Sequence, residues 1–322
     1  MISPDFACSF HGITIEVSGS RAVRSAMSDR FGEFPASGSA GPPLRFHFAE
    51  VLSLPGEQTP RPAGRGRPFY EHLGESTYYP AEDVLYLEYA GRAAALCSPA
   101  QGCCRISLLA PEQDQLWLGT HPIFTLAMIE MLKRRGKFNI HAAAFARNGG
   151  CILLPGTSGA GKSTLAIALL CAGFDFITDD MAFLEPGPPL QVLAFPENIG
   201  VTAKTLSFFD DLHAVVLASQ PEGSPKYEVR SRELLSSGLA WRTHPKALVF
   251  PQVSGRPDSS LTPISSDESF KLLAPNVLLT ERHATQTHLD ALAVLARAVP
   301  SYRLSTGRDF DQTTALLGDL LG

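Results

Sequence analysis

Residues 150–172 constrain the fold more than any other stretch of the chain. Gly156-Thr157-Ser158-Gly159-Ala160-Gly161-Lys162-Ser163 fits G-x-x-x-x-G-K-[ST] at every fixed position. An apolar run, Cys151-Ile152-Leu153-Leu154-Pro155, leads in, and Thr164-Leu165-Ala166-Ile167-Ala168-Leu169-Leu170 leads out. This order predicts a buried strand, a glycine turn and a helix over 163–172. Glycines let backbone N–H groups converge on phosphate oxygens, and the helix adds its positive end. Lys162 would neutralise the β and γ phosphates, and the Ser163 hydroxyl is placed to ligate Mg²⁺. Residues 156–163, with Thr164 at the helix start, form the candidate cradle for a nucleotide, ATP or GTP, with Mg²⁺.

An acidic pair follows quickly. Phe174-Asp175-Phe176-Ile177-Thr178 reads as a strand ending in Asp179-Asp180, and 17 residues separate Lys162 from Asp179. That length suits a helix running away from the loop, a turn at Gly173 and a short strand running back. Both carboxylates would then return to the phosphate end. Successive side chains on a strand diverge. One carboxylate could hold Mg²⁺ while the other faces an acceptor and takes its proton. The competing reading is a strand-terminating acidic turn.

The run from His141 to Asp180 resembles the catalytic domain of the HPr kinase/phosphorylase family: a His-bearing strand, a hairpin, the glycine loop, a short helix and an apolar strand ending in Asp-Asp. Phosphoenolpyruvate carboxykinases share this arrangement more distantly. The motif likeness covers about 40 residues. A looser likeness of layout reaches the C-terminus through Ala247-Leu248-Val249-Phe250-Pro251 and the strand at Tyr302-Arg303-Leu304. The resemblance implies a P-loop kinase core and phosphoryl transfer to a hydroxyl, with a serine of a peptide or protein as acceptor. It aligns Asp179 with the acid/base carboxylate, Asp180 with its metal-side neighbour and His141 with the active-site histidine. His141 also reads as an ordinary strand histidine. No R-G-x-G-I-like signature follows the aspartates, so neither HPr itself as substrate nor the reverse phosphorolysis follows from the resemblance.

The remaining chain sets limits. Alternation predicts strands near 12–17 and 44–48, and further strands at 84–89, 93–97 and 105–109 are spaced like an antiparallel sheet. The glycine- and proline-rich stretches 35–43 and 54–68 read as surface loops, with Arg61, Arg65 and Arg67 solvated. Thr120 and Pro122 open a helix that leaves through Lys133-Arg134-Arg135-Gly136. Strands over 139–147 and 151–154 flank the hairpin turn Asn148-Gly149-Gly150, and helices fit 286–298 and 310–321. The expected architecture is α/β with an α+β tendency: a β-rich N-terminal domain over 1–135 ending in a helix, then a P-loop catalytic domain over 136–322.

A net charge of −5, with 13 Lys/Arg against 14 Asp/Glu in residues 1–140, argues against nucleic-acid binding. No apolar run is long enough to span a membrane, the start lacks a secretory pattern and the six cysteines lack disulfide-framework spacing. The expectation is a cytoplasmic protein with reduced thiols, compatible with a homo-oligomer. The histidines show no H-E-x-x-H, which argues against a zinc enzyme. Phosphoryl transfer needs positive charge beyond the γ-phosphate. Lys204, Lys226, Arg230, Arg232, Arg242, Lys246 and Arg256 are the candidates, with Lys226 and Arg256 at lid-like positions beside 221–225 and 254–258. Two other functions compete with a peptide or protein kinase: a small-molecule alcohol kinase, and a nucleotide sensor without transferase activity. A carboxykinase-like reaction would call for more arginine.

Overall fold

Long-range strand pairing builds two compact units from this sequence. Met1–Arg135 with Leu279–Thr285 forms one, and Gly136–Leu278 with Gln286–Gly322 the other. The structure is a computed structural model describing residues 5–35, 41–69, 74–109, 113–157, 159–209, 212, 216, 226–234, 238–280 and 282–322. The fold is mixed α/β with two large mixed sheets. The sequence reading leaves 279–285 in the second domain, whereas these residues belong with the first unit. A buried polar knot explains the return: Thr280 donates to Glu130 Oε1 at 2.5 Å, and Glu130 also accepts from Lys133 at 2.5 Å.

In the first unit, β1 (Phe6–Phe10), β2 (Ile13–Ser18), α1 (Arg21–Phe31), β3 (Leu44–Val51), β4 (Arg67–Pro68), β5 (Glu75–Tyr79), β6 (Val84–Tyr89), β7 (Ala93–Ser98) and β8 (Cys103–Leu109) precede α2 (Gln113–Leu118) and α3 (Phe124–Lys133). The sheet order is β1-β2-β3-β8-β7-β6-β5-β4. Strands β6 to β8 form the expected antiparallel meander, which β5 extends, while β2–β3 and β3–β8 are parallel. Parallel neighbours need a crossover, and α1, absent from the sequence reading, supplies the one from β2 to β3. It buries Val23, Met27 and Phe31, one residue per turn on one face.

Two further expectations are corrected. Thr120 does not cap a helix. It lies inside a π-helical turn, Gly119–Ile123, that joins α2 to α3, and its hydroxyl donates back to Leu116 O at 2.7 Å. Pro122 has no N–H for the regular ladder, and the wider turn takes up that break. The 54–68 loop is partly packed: Thr59 is fully buried and donates to Ser107, while Arg61 pairs with Glu75 and lies over the Tyr86 ring. Within the other loop, residues 36–40 lie outside the described residues.

The second unit contains β9 (Phe138–Arg147), β10 (Gly150–Pro155), α4 (Lys162–Cys171), β11 (Asp175–Thr178), β12 (Met181–Glu185), β13 (Gln191–Leu193), β14 (Ile199–Thr202), α5 (Ala203–Leu206), β15 (Lys226–Val229), α6 (Ser231–Leu234), β16 (Arg242–Val253), β17 (Ser260–Ile264), α7 (Ser266–Leu273), all but the first turn of α8 (Arg282–Ala298), β18 (Ser301–Thr306) and α9 (Phe310–Asp319). The main sheet runs β10-β9-β12-β13-β16-β18-β17, and β10 also pairs with β16, in parallel. The five strands β10, β9, β12, β13 and β16 thereby close a ring.

Alternation sorts the side chains into two cores. Ala143, Phe145, Ile152, Leu154, Ala247 and Val249 enter one, with α4, α9 and β14. Ala142, Ala144, Cys151, Leu153, Leu248 and Phe250 enter the other, with α8. A one-residue slip in any of these strands would exchange its two sets. All six cysteines are unbridged. Among the described residues no helix is long and apolar enough to cross a membrane.

Candidate functional site

The glycine loop takes its position from β10, every residue of which is buried. After Pro155 the chain turns through Gly159 (φ +85°) and Gly161 (φ +95°) into α4. A side chain at Gly161 would be strained at that φ, and its Cβ would stand 3.1 Å from Val253 Cγ2. Leu165 N closes the first helical bond onto Gly161 O at 3.0 Å. The first-turn N–H groups therefore face out of the helix end, beyond the reach of any helical carbonyl. Gly156, Thr157, Gly159, Ala160, Gly161, Lys162, Ser163 and Thr164 lie along this turn; Ser158 lies outside the described residues.

Lys162 is buried, and its ammonium donates to Gly156 O at 2.5 Å and Thr157 O at 3.3 Å. Burial lowers its pKa from the usual lysine value, and the charges of Asp180 and Asp179 oppose that shift. Ser163 is half-buried at the same turn. The Thr164 hydroxyl meets that of Thr205 at 3.0 Å.

Strand β9 lies between the loop and the aspartates. On one side Ala142 faces Pro155 and Ala143 faces Leu154. On the other, Thr178 faces Ala144 and Met181 faces His141. Asp179 and Asp180 interrupt the ladder between β11 and β12 along the two rungs occupied by Ala142 and Ala143. The Thr178 hydroxyl holds the interruption by accepting from the Met181 N–H at 3.2 Å. The strand preceding the loop and the strand ending in the aspartates thus flank β9 at the same height.

The two carboxylates differ in environment. Asp179 is buried, with 6% of its surface exposed, and accepts from the Gly200 N–H at 3.4 Å. Burial first, then the charges of Asp180 and Glu197, push its pKa well above the ordinary range. Asp180 opens to solvent, with 66% of its side chain exposed, and meets His141 Nε2 at 2.8 Å. Its crowded setting would raise its pKa, but the His141 hydrogen bond and charge, with the charges of Lys162 and Lys226, hold it below the usual carboxylate range. The two adjacent carboxylates are therefore pushed in opposite directions.

Among the described residues, no cluster of three or more His, Cys, Asp and Glu could enclose a metal by itself. Mg²⁺ commonly takes one or two protein oxygens and draws its other ligands from phosphate and water. The exposed Asp180 carboxylate and the Ser163 hydroxyl are hard oxygen donors of that kind.

Sequence reasoning missed the roof of the site. Strands β14 and β15 pair as a two-stranded ribbon that carries Gly200 to Asp179 and sets Lys226 opposite Thr202. No local signal links residue 200 to residue 226. Three of the other cation candidates lie elsewhere: Arg230 pairs with Glu233, Arg242 with Glu185, and the Lys246 stem crosses Gly150 at the start of β10. The 221–225 segment and the Arg232 side chain lie outside the described residues.

No protein-family model matches this chain, and no curated protein matches it. Among solved structures it is similar to the Hpr(Ser) kinase/phosphatase from Coxiella burnetii, at 11% identity over 56% of this chain and 93% of that one, with a TM-score of 0.29. At that level of superposition the likeness bears neither on the details of the fold nor on the chemistry of the site.

Proposed function

We propose that the chain is an ATP- or GTP-dependent phosphotransferase of the P-loop kinase type, moving the γ-phosphoryl group to a hydroxyl, with a serine of a peptide or protein as acceptor. One observation carries the reading: the glycine loop with its helix N-terminus and the Asp179–Asp180 pair flank β9 at the same rungs. A sensor that only binds nucleotide has no use for a buried carboxylate there. The serine rests on the motif resemblance alone.

In this reading the N–H groups of 156–164 hold the triphosphate, and Lys162 moves from the loop carbonyls onto phosphate oxygen. Ser163 and Asp180 would hold Mg²⁺, which when bound supplies charge neutralisation between the β and γ phosphates. His141 orients the Asp180 carboxylate through its 2.8 Å contact. Asp179, made more basic by its surroundings, takes the acceptor's proton as the acceptor oxygen–phosphorus bond forms and the γ-phosphorus bond to the β-phosphate oxygen breaks, leaving the nucleoside diphosphate. The Gly200 N–H fixes the direction of that carboxylate.

The test treats a cell extract with purified protein and γ-labelled nucleotide, and seeks phosphorylated products by mass spectrometry. Asp179→Asn should abolish label transfer, a loss of about a hundredfold or more, while nucleotide binding stays within a few fold. Transfer at the wild-type rate by Asp179→Asn would remove the base assignment. Tight nucleotide binding with no labelled peptide, protein or metabolite would favour the sensor.

A further inference from the structure

Phosphoryl transfer spreads negative charge over the three equatorial oxygens of the migrating group. Lys162 approaches that group from the loop side. A second cation would stabilise the in-line arrangement, where the acceptor also enters. The β14–β15 ribbon, packed against α4, brings a lysine close to the aspartates.

Register and contact locate it. Thr202 pairs with Lys226 and Gly200 with Glu228, so Gly200, Thr202, Lys226 and Glu228 share one face of the ribbon. Ile199, Val201 and Val229 are buried in the apolar core. Gly200 donates its N–H to Asp179. The Lys226 stem crosses the same glycine: a Cβ on Gly200 would stand 3.3 Å from Lys226 Cδ and 3.9 Å from its Nζ. Lys226 thus approaches the aspartates on the backbone that clamps Asp179. Its charge registers at Asp179, Asp180 and Lys162 together.

We infer that Lys226 is a catalytic residue that contacts the migrating phosphoryl group as a second cation beside Lys162, delivered by the β14–β15 ribbon. This assignment rests on the kinase reading above. It makes Lys226 a group that binds the transition state more strongly than the bound nucleotide, so its removal should separate the two affinities.

Equilibrium binding of Mg·ADP, and of Mg·ADP with aluminium fluoride as the planar phosphoryl mimic, tests it. Lys226→Met keeps the aliphatic stem over Gly200 and removes only the charge. The variant should bind Mg·ADP within about threefold of wild type and the fluoride complex about a hundredfold more weakly. Lys226→Arg should recover most of that loss. Unchanged affinity for both ligands in Lys226→Met, or an equal loss of both, overturns the assignment while leaving the kinase reading in place. A wild-type protein that binds neither ligand overturns the kinase reading, and Lys226's role with it.

Discussion

His121 should make the first unit sensitive to acid, and the size of the effect follows from where it sits. The imidazole lies in the π-helical turn between α2 and α3, stacked on Trp117 at 5.5 Å with an interplanar angle of 15°. The Thr120 hydroxyl, which donates to Leu116 O, offers a lone pair to His121 Nδ1 at 3.0 Å. Arg30 approaches from α1 and donates to Thr120 O at 2.5 Å. Burial first, then the Arg30 charge, push the His121 pKa from 6.5 down to about 3, against a hydrogen bond to the Trp117 backbone. The folded unit therefore keeps the ring neutral while the unfolded chain protonates it near pH 6.5. Between those values the unfolded state binds more protons, so stability falls as pH falls. From pH 8 to pH 5 the loss is roughly 2 kcal/mol, and it reaches about 3 kcal/mol at pH 4.

Carboxylates also titrate in this range, so the informative quantity is a difference. His121→Phe keeps a ring against Trp117 and cannot take a proton. Losing the Thr120 contact costs it a pH-independent amount of about 1 kcal/mol. Urea unfolding followed by Trp117 fluorescence in a Trp241→Phe background reads the first unit, because the chain holds two tryptophans. The gap between wild type and His121→Phe should close on acidification, and the variant should become the more stable protein near pH 5. Parallel stability curves from pH 8 to pH 4 would refute the burial argument.

Gly161→Ala should cost about 1–2 kcal/mol from the positive φ alone, plus the contact with Val253, and should weaken nucleotide binding. Val253→Ala in that background should recover the contact but not the backbone strain, as thermal melts of the single and double variants would show. Phe145→Ala removes a fully buried ring that packs on Phe176 at 5.9 Å. It should destabilise the second unit by about 3–5 kcal/mol, measured by urea unfolding followed at Trp241 in a Trp117→Phe background.

What the sequence makes readable is what the chain settles locally. The 139–171 segment is a hairpin followed by one strand–loop–helix step, and the two-residue turn and the apolar runs write its geometry into neighbouring positions. The aspartates are readable because helix and strand lengths bring the chain back to its starting end. Beyond that distance the signal fades for specific reasons. Helix α1 has only three buried positions among charged and small residues, so its spacing is drowned by the polar face. Pro122 resembles a helix start because the same missing N–H serves a first turn and a π-helical turn. The pairing of β3 with β8 joins residue 45 to residue 103, and no pattern at either end names its partner. Gly200 and Lys226 meet by the same kind of pairing, which is why cation candidates could be collected from the sequence but not ranked.

The central strand explains how so local a signal can organise a whole site. β9 is hydrogen-bonded on both sides, so its rungs act as a ruler shared by two segments that never pair with each other. Ala142 and Ala143 are the rungs where the loop begins and the aspartates interrupt the ladder, and His141 lies one step beyond, beside Asp180. Alternation along the same strand sends Phe145 and Ala143 into the core that packs α4, and Ala142 and Ala144 into the core that packs α8. A register slip on β9 would therefore misplace the loop and the aspartates and exchange two cores at once. Because that slip carries so large an energetic penalty, the relative height of loop and carboxylates is held by the apolar interior, while the polar contacts at the mouth, His141 to Asp180 and Gly200 to Asp179, only set the direction of each carboxylate.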